Sequence, residues 1–387
     1  MITVVELNQI EAINAIRDDW HALLAESSRA SFFHTPEWLE AYWKFFSADQ
    51  QLKILVVRSE EQTREKQTIG IVPLLVRTVP SIVGKVELLT SFDDWGDFNK
   101  PIGNDQPTII QAACEYLKNS PRNWDIFEPR WVDDAGLQYG EVFSAMKKGG
   151  GLPYVSEWSS AAMVDLSGTI EEYWNGWSSK NRSEQRRNER RLAQRGDIKY
   201  LRHRPKPEGD PRWDLFEDCK QIAKESWQAE SKTGTTLSHE SVQNFMRYVH
   251  EMATHLGRLD LNLLYQDEKP IAFSYGYHFR GYVDGLKTGY VREKKTNGAG
   301  RVLVARIIED SFERGDQTFN MGSEQHAWKK IWRTESAITY QYAYFSSKSP
   351  KGQFLKMNHW AKKSWQYLRK LSGSKKQEEN NNTQQKH

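Results

Sequence analysis

A glycine-containing turn that enters an apolar helix is the stretch of this sequence best suited to bind a phosphate. The pattern predicts a strand over 282–290, a basic turn over 292–300 and a helix over 301–313 that Gly315 ends. The first N–H groups of a helix have no partners within the helix, and the helix dipole adds partial positive charge there. Glycine lets an anion approach the backbone closely. The predicted phosphate site consists of Asn297, Gly298, Ala299, Gly300 and Arg301, with Arg292, Lys294 and Lys295 nearby.

Two familiar phosphate motifs do not account for this turn. The pattern G-x-x-x-x-G-K-[ST] does not occur in the sequence. The dinucleotide pattern G-x-G-x-x-G fails because Leu303 holds the third glycine position and Asn320 stands where an acidic residue would bind a ribose. The turn is therefore either a phosphate site of another kind or an ordinary glycine-rich connection.

Composition limits the class of protein. The 387 residues allow two or three domains. The N-terminal segment lacks the basic and apolar regions of a secretory signal, and no run of 18 apolar residues occurs, so we expect a cytoplasmic protein. Cys114 and Cys219 fall in separate predicted helices, which favours buried free thiols. A net charge of +3 argues against a dedicated nucleic-acid binder unless the charge is concentrated.

Two segments of the chain repeat the same order of predicted elements. Residues 52–128 and 261–321 each run strand, hairpin strand, strand, helix, strand, which indicates a duplicated α/β unit. In the first copy the turn before the helix lies at 103–107, and three acidic residues precede it: Asp93, Asp94 and Asp97. Because carboxylates repel phosphate, we expect the first copy to be a degenerate structural partner.

Several stretches of the second copy carry a family resemblance. It closes with FNMGSEQHAWKKIW, and it also contains SSKNRSEQRRNERRLAQRG at 178–196, ESWQAESKTGT at 225–235 and KPIAF at 269–273. Together with the duplicated unit and the glycine turn, these stretches resemble the GNAT superfamily of acyl-CoA transferases. The chain is most similar to the tandem-GNAT branch of cellulose-biosynthesis-associated acetyltransferases, which is related to the FemAB-type transferases. The resemblance implies an α/β (α+β) fold with two tandem GNAT-like domains, in which mixed sheets are flanked by helices.

The resemblance also implies a division of the chain. A degenerate N-terminal GNAT-like domain would span 1–158, and a C-terminal GNAT acyltransferase domain would span 159–350. A basic amphipathic helix is predicted over 351–372. The polar, low-complexity tail over 373–387 is expected to be disordered.

The implied reaction is direct transfer of an acyl group, with acetyl as the expected group, from acyl-CoA to an amine or hydroxyl. Carried over by position, Tyr290 and Val291 would flank the pantetheine arm, and the glycine turn would hold the pyrophosphate. The sequence departs from the family pattern in two places. Asn320 stands where the branch often has an acid, and Ala327-Trp328 replaces the usual tyrosine before Lys329.

Direct attack requires a neutral amine, and an alkyl ammonium has a pKa of about 10.4, so a general base must remove a proton. We rank Glu324 first because it follows the last strand of the unit, where the sheet is expected to open. Asp284 and His326 are the other candidates, together with the tyrosines of 340–344. Each of the first three has a structural alternative. Glu324 is otherwise a solvated loop carboxylate, Asp284 a hydrogen-bonded strand residue and His326 a surface histidine.

A basic helix supplies most of the predicted substrate contacts. Residues 180–195 carry seven basic side chains against two acidic ones. Like charges four residues apart repel, and an anionic partner would relieve them. That partner is the CoA 3′-phosphate, an acidic polysaccharide, a lipid-linked phosphate or tRNA, unless the helix is simply solvated. The predicted substrate-binding residues are Lys180, Arg182, Arg186, Trp227, Lys329 and Trp332. The two tryptophans either stack against a sugar ring or belong to the hydrophobic core.

Acyl-CoA is the expected co-substrate, and no metal is expected because His250 and His255 have the wrong spacing for one helix face. By family analogy the acceptor is an amino sugar or another cell-envelope or exopolysaccharide precursor. The basic C-terminal helix suggests peripheral contact with the inner face of the membrane. Two alternatives remain: an aminoacyl-tRNA-dependent FemAB-like transferase and a non-catalytic module that binds an anionic glycan.

Overall fold

The computed structural model describes residues 1–27, 30–60, 66–92, 95, 101–121, 123–130, 132, 140–230, 236–293, 296–323 and 327–359. The strands are β1 (Ile2–Leu7), β2 (Gln50–Glu60), β3 (Lys66–Ser81), β4 (Gly84–Thr90), β5 (Ile126–Glu128), β6 (Tyr154–Asp165), β7 (Ile198–His203), β8 (Leu259–Gln266), β9 (Lys269–Phe279), β10 (Tyr282–Tyr290), β11 (Thr318–Ser323) and β12 (Glu335–Phe345). The α-helices are α1 (Arg17–Glu26), α2 (Pro36–Phe46), α3 (Gln106–Asn119), α4 (Glu141–Gly149), α5 (Ile170–Asn175), α6 (Ser179–Ala193), α7 (Trp213–Glu225), α8 (Gln243–His255) and α9 (Ala299–Glu313). Short 3₁₀ helices lie at Ile10–Ile16, Phe32–His34, Trp227–Glu230, Glu240–Val242 and Ala327–Ile331, and a helix begins at residue 350 and continues to 359, the last described residue.

In the described part of the chain, twelve strands form one mixed sheet in the order β1-β2-β3-β4-β5-β12-β6-β11-β10-β9-β8-β7. The two ends of the sheet have the same construction. In the first half, β1 to β4 are antiparallel neighbours, and β4 pairs in parallel with β5, which follows α3. In the second half, β7 to β10 are antiparallel neighbours, and β10 pairs in parallel with β11, which follows α9. The predicted duplication and the mixed α/β fold class are confirmed.

The two halves exchange strands at the centre of the sheet. β6, which follows the first half in sequence, pairs with β11 of the second half. β12, which ends the second half, pairs with β6 and also with β5 of the first half. The predicted boundary at residue 158 lies within β6, and the division into two domains stays a prediction.

A hydrophobic core shared by both halves lies on one face of the sheet. It joins α1, α2 and the β2–β3 hairpin to α7, α8 and the β8–β9 hairpin. Trp38 illustrates the contact, because its ring meets both Phe245 and Tyr277 of the second half. The opposite face carries two separate cores, one beneath α3 and α4 and the other beneath α9.

Some elements differ from the sequence prediction. The sequence pattern predicts a strand over 162–166 and a helix over 212–229, but β6 begins eight residues earlier, at Tyr154, and α7 ends at Glu225. No strand is predicted from the sequence at the position of β7. The sequence pattern also predicts a helix over 133–148; residues 140–148 of this segment are described, and α4 begins at Glu141. The C-terminal helix is described as far as residue 359, and the tail over 373–387 lies outside the described residues. None of the described helices combines the length and apolar character needed to cross a membrane.

Candidate functional site

Strands β10 and β11 diverge and open a gap in the sheet. They pair in parallel only from Tyr282–Asp284 to Thr318–Asn320. Beyond that point β10 continues along β9 with a bulge between Gly285 and Lys287, while β11 follows β6. A β-bulge bends its strand and leaves backbone groups out of the ladder. The gap therefore offers the edge of β10 to an extended ligand, and Tyr290 and Val291 lie at its far end.

The glycine turn lies beside Tyr290, at the far end of this gap, and begins α9. Gly298 is the N-cap with φ +99, a region that favours glycine. The N–H of Ala299 donates to Thr296 O at 2.9 Å and the N–H of Val302 to Gly298 O at 3.0 Å. Within the described part of the chain, the N–H groups of Gly298 and Gly300 have no hydrogen-bond partner. Asn297 is exposed and both glycines are partly exposed, so the turn can receive an anion.

Both glycines are also required by close neighbours. A Cβ at Gly298 would lie 2.9 Å from Oδ1 of Asn188 on α6, and one at Gly300 would lie 2.9 Å from the Tyr290 ring. Tyr290 is 42% exposed and rests against the turn. The predicted pantetheine residue and the predicted pyrophosphate turn are therefore adjacent.

Arg301 attaches α6 to the start of α9. Its Nε donates to Gln185 Oε1 at 3.1 Å and its Nη2 to Asn181 O at 3.2 Å. Its guanidinium carbon also lies 5.7 Å from the Trp177 ring centre and 5.8 Å from that of Trp332. These contacts hold the charge of Arg301 beside the turn and fix α6 next to it.

The predicted substrate residues on α6 divide into two groups. Arg182 points inward, and its Nη1 donates to the carbonyls of Trp174 (3.1 Å), Asn175 (3.3 Å) and Trp177 (2.5 Å) at the end of α5. Lys180 and Arg186 are exposed, as are Arg187, Arg190 and Arg191. Four of these arginines have no acidic partner among the described residues: Arg186, Arg187, Arg190 and Arg191. The outer face of α6 is therefore a basic surface beside the glycine turn.

A buried polar cluster lies where the two strands part. Asn320 Nδ2 donates to Asp284 Oδ1 at 3.1 Å, and the N–H of Gly322 donates to Asn320 Oδ1 at 2.8 Å. An amide at position 320 can donate to Asp284, whereas the acid expected there from the family pattern would place two carboxylates together. Lys329 Nζ donates to Met321 O at 2.6 Å and to Ser323 O at 2.7 Å, which fixes the end of β11.

The remaining predicted site residues have different settings. Glu324 and His326 lie outside the described residues. Trp332 is buried, and its ring centre is 4.9 Å from that of Trp177, so packing alone explains this tryptophan. Trp227 is 38% exposed in the short helix after α7. Sequence reasoning missed Asn181, Gln185 and Asn188, whose contacts with the turn depend on how α6 docks and leave no sequence signal.

The first half has an equivalent helix start that is already occupied. The N–H of Thr108 in α3 donates to Asp105 Oδ1 at 3.2 Å, so the protein's own carboxylate caps this helix. A Cβ at Gly103 would lie 2.5 Å from Ile69 O, which shows that the turn packs against the sheet. Asp93, Asp94 and Asp97 lie outside the described residues. Only α9 of these two helix starts is open to an external anion.

Comparison with known proteins agrees with this geometry. Residues 179–330 match the family model described as an acetyltransferase (GNAT) domain. The structure is similar to that of FemX, with 11% identity, a TM-score of 0.56, and coverage of 88% of this chain and 97% of that one. It is also similar to the C-terminal domain of a putative lysylphosphatidylglycerol synthetase from Agrobacterium fabrum, with 12% identity, a TM-score of 0.50, and coverage of 88% and 95%. At these identities the two structures show a common fold.

A comparison with curated proteins gives no match. The family match covers α6 through the glycine turn to Lys330 and therefore contains the diverging strands, the open helix start and the polar cluster. The chain thus matches a GNAT acetyltransferase domain over residues 179–330, and this match supports an acyltransferase.

Proposed function

We propose that the protein transfers an acetyl group from acetyl-CoA to an amine, or to a hydroxyl, of a cell-envelope or exopolysaccharide precursor. The observation that carries the donor assignment is the open start of α9 beside the gap between β10 and β11, where the N–H groups of Gly298 and Gly300 have no hydrogen-bond partner among the described residues. A pyrophosphate suits the unpaired amides and the helix dipole. A pantetheine arm suits the free edge of β10, because its amides can pair with a strand.

The reaction needs a proton acceptor close to the thioester. The acceptor nitrogen forms a bond to the thioester carbonyl carbon, the carbon–sulfur bond breaks, and CoA leaves as a thiolate that takes up a proton. A base removes the proton from the nitrogen. Asp284 lies at the point where β10 and β11 part, and its contact with Asn320 holds its position. Glu324 and His326 remain candidates, and their sequence positions follow β11 directly.

The acceptor class rests on the resemblance to the cellulose-biosynthesis-associated branch. The basic outer face of α6 supports an anionic acceptor or a site on an anionic surface, since its arginines have no acidic partners in the described part of the chain. We propose that the protein works in the cytoplasm, at the inner face of the membrane.

Titration calorimetry with acetyl-CoA tests the donor. We expect saturable heat with the wild type and at least tenfold weaker binding with Gly298→Ala. Desulfo-CoA, which keeps the pyrophosphate, should compete with acetyl-CoA. An absence of heat at millimolar acetyl-CoA would refute the proposal.

A second candidate is an aminoacyl-tRNA-dependent transferase. The observation that favours it is the row of exposed basic side chains on α6 from Lys180 to Arg191, which is about 16 Å long at 1.5 Å per residue and is longer than one 3′-phosphate requires. A ratio of absorbance at 260 and 280 nm that indicates bound RNA, together with loss of activity after RNase treatment, would establish this alternative. Activity with acetyl-CoA in nuclease-treated protein would exclude it.

A further inference from the structure

Lys287 occupies an unusual place beside the gap between β10 and β11. It is the first residue after the bulge in β10 and lies opposite Tyr275 of β9, whose ring is in the core shared by both halves. Side chains that face each other on paired strands point to the same face of the sheet. Lys287 therefore points toward the side on which the two halves meet. Asp284 is opposite Tyr277, which lies in the same core, so Asp284 and Lys287 share this face on either side of the bulge.

The N-terminal half covers the ammonium group of Lys287. Its Nζ lies 4.7 Å from the ring centre of Trp95. Trp95 is held by Phe46, whose ring is stacked at 6.1 Å, and by Phe245 at 5.1 Å. The side chain of Lys287 thus extends from the acyltransferase half to the wall that the other half supplies.

This ammonium lacks the partners that the buried lysines have. Lys53 is paired with Glu6 at 2.5 Å, and Lys329 donates to two backbone carbonyls. In the described part of the chain Lys287 has neither a carboxylate nor a carbonyl partner, and its only polar interaction is with the Trp95 ring. Desolvation lowers the pKa of Lys287 to about 8. A ring face compensates a cation only in part, so the fold keeps a cation here that a ligand can pair.

We infer that Lys287 binds an oxyanion, either a carboxylate or a phosphate, carried by the acceptor. The inference rests on the proposed function, because it places the acceptor on the face that Asp284 and Lys287 share. Three residues along a strand span about 10 Å. The acceptor therefore carries its anionic group within about 10 Å of the attacking nitrogen or oxygen.

Anion-dependent stability tests this assignment without knowledge of the acceptor. Protein saturated with acetyl-CoA, which occupies the glycine turn, is unfolded thermally in chloride, acetate or inorganic phosphate at equal ionic strength. The variants are Lys287→Met and, as a matched control, Lys269→Met, since Lys269 is exposed at the start of β9. For a chain of 387 residues, an anion at ten times its Kd raises the Tm by about 1.5–2 °C.

We expect acetate or phosphate to raise the Tm of the wild type and of Lys269→Met relative to chloride, and to have no such effect on Lys287→Met. The more effective anion identifies the group as a carboxylate or a phosphate. In chloride we also expect Lys287→Met to be at least as stable as the wild type, since the variant removes a desolvated charge that no acidic side chain among the described residues pairs.

Three results would each overturn the inference. Lys287→Met could respond to the anions as the wild type does, the wild type could show no response, or the Tm of Lys287→Met in chloride could lie well below that of the wild type. Calorimetric binding of acetyl-CoA in the same wild-type sample separates this failure from that of the proposed function. Heat of acetyl-CoA binding without an anion response refutes only the role of Lys287.

Discussion

Replacing Gly298 by alanine tests the glycine turn directly. At φ +99 a side chain is strained by about 1–3 kcal/mol. The new Cβ would also lie 2.9 Å from Asn188 Oδ1, so Asn188 or the turn must shift. A shift of a few tenths of an ångström moves the N–H groups that would hold the pyrophosphate. We expect acetyl-CoA to bind at least tenfold more weakly, which corresponds to about 1.4 kcal/mol.

The measurement pairs calorimetry with chemical unfolding, because strain alone also lowers stability. Gly315→Ala is the matched control. Gly315 has φ +71 just beyond the other end of α9, and no atom lies within 4 Å of its Cβ position. This control should lose similar stability and keep the affinity of the wild type. The double variant with Asn188→Ala removes the clash and should recover part of the binding.

Two results would refute this reasoning. In the first, Gly298→Ala remains folded and binds acetyl-CoA as tightly as the wild type, so the amides of the turn are not the phosphate site. In the second, Gly315→Ala loses affinity to the same extent, so the effect arises from a general loss of stability.

Three further predictions concern groups around this site. Lys329→Met removes the Nζ donor from the carbonyls of Met321 and Ser323, which costs about 1–3 kcal/mol for each carbonyl. We therefore expect both the free energy of unfolding and the turnover of acetyl-CoA to fall. Lys330→Met, at an exposed neighbouring position, is the control and should change neither. Asp260→Asn should lower the free energy of unfolding by about 3–5 kcal/mol in urea at pH 7, because Asp260 is buried between Arg202 and Arg204; a loss below about 1 kcal/mol would show that the pairs contribute no more than surface ones. Burial lowers the pKa of His250 to about 4, below its unfolded value of about 6.5, so the unfolded state binds a proton first and stability should decline as the pH falls from about 6.5 toward 4. His250→Gln should remove the part of this decline that His250 causes, and an unchanged pH profile would contradict it.

The sequence predicted the elements that carry the site because local patterns determine them. The strand over 282–290 has the predicted bounds, and α9 begins two residues before the predicted start. Alternating and helical apolar patterns are strong in these segments. Gly298 was also identified from sequence, because glycine lets an anion approach the backbone closely. Its φ of +99 is a second reason for glycine there, which only the structure shows.

Contacts between distant segments could not be predicted in the same way. β7 was missed because its sequence, IKYLRH, is short and does not alternate regularly, and because Arg202 has its partners far away in the chain. Arg202 of this strand donates to Asp260 on β8 and to Asp310 on α9. Lys287 was also missed. Regular alternation along β10 would place Lys287 on the face opposite to that of Asp284, and the bulge before it and Trp95 above it depend on the folded structure.

The exchange of strands explains why a half without an open phosphate turn is retained. β6 and β12 each complete the sheet of the other half, and α2 packs against α8 in the shared core. The second half alone would expose Phe245, Tyr275 and Tyr277, and β12 would lose its neighbour β5. Large exposed apolar surfaces and open strand edges both favour aggregation. The first half also supplies Trp95, which covers Lys287 beside the diverging strands. Its contribution is thus to the stability of the fold and to one wall of the acceptor side, while the donor side belongs to α9.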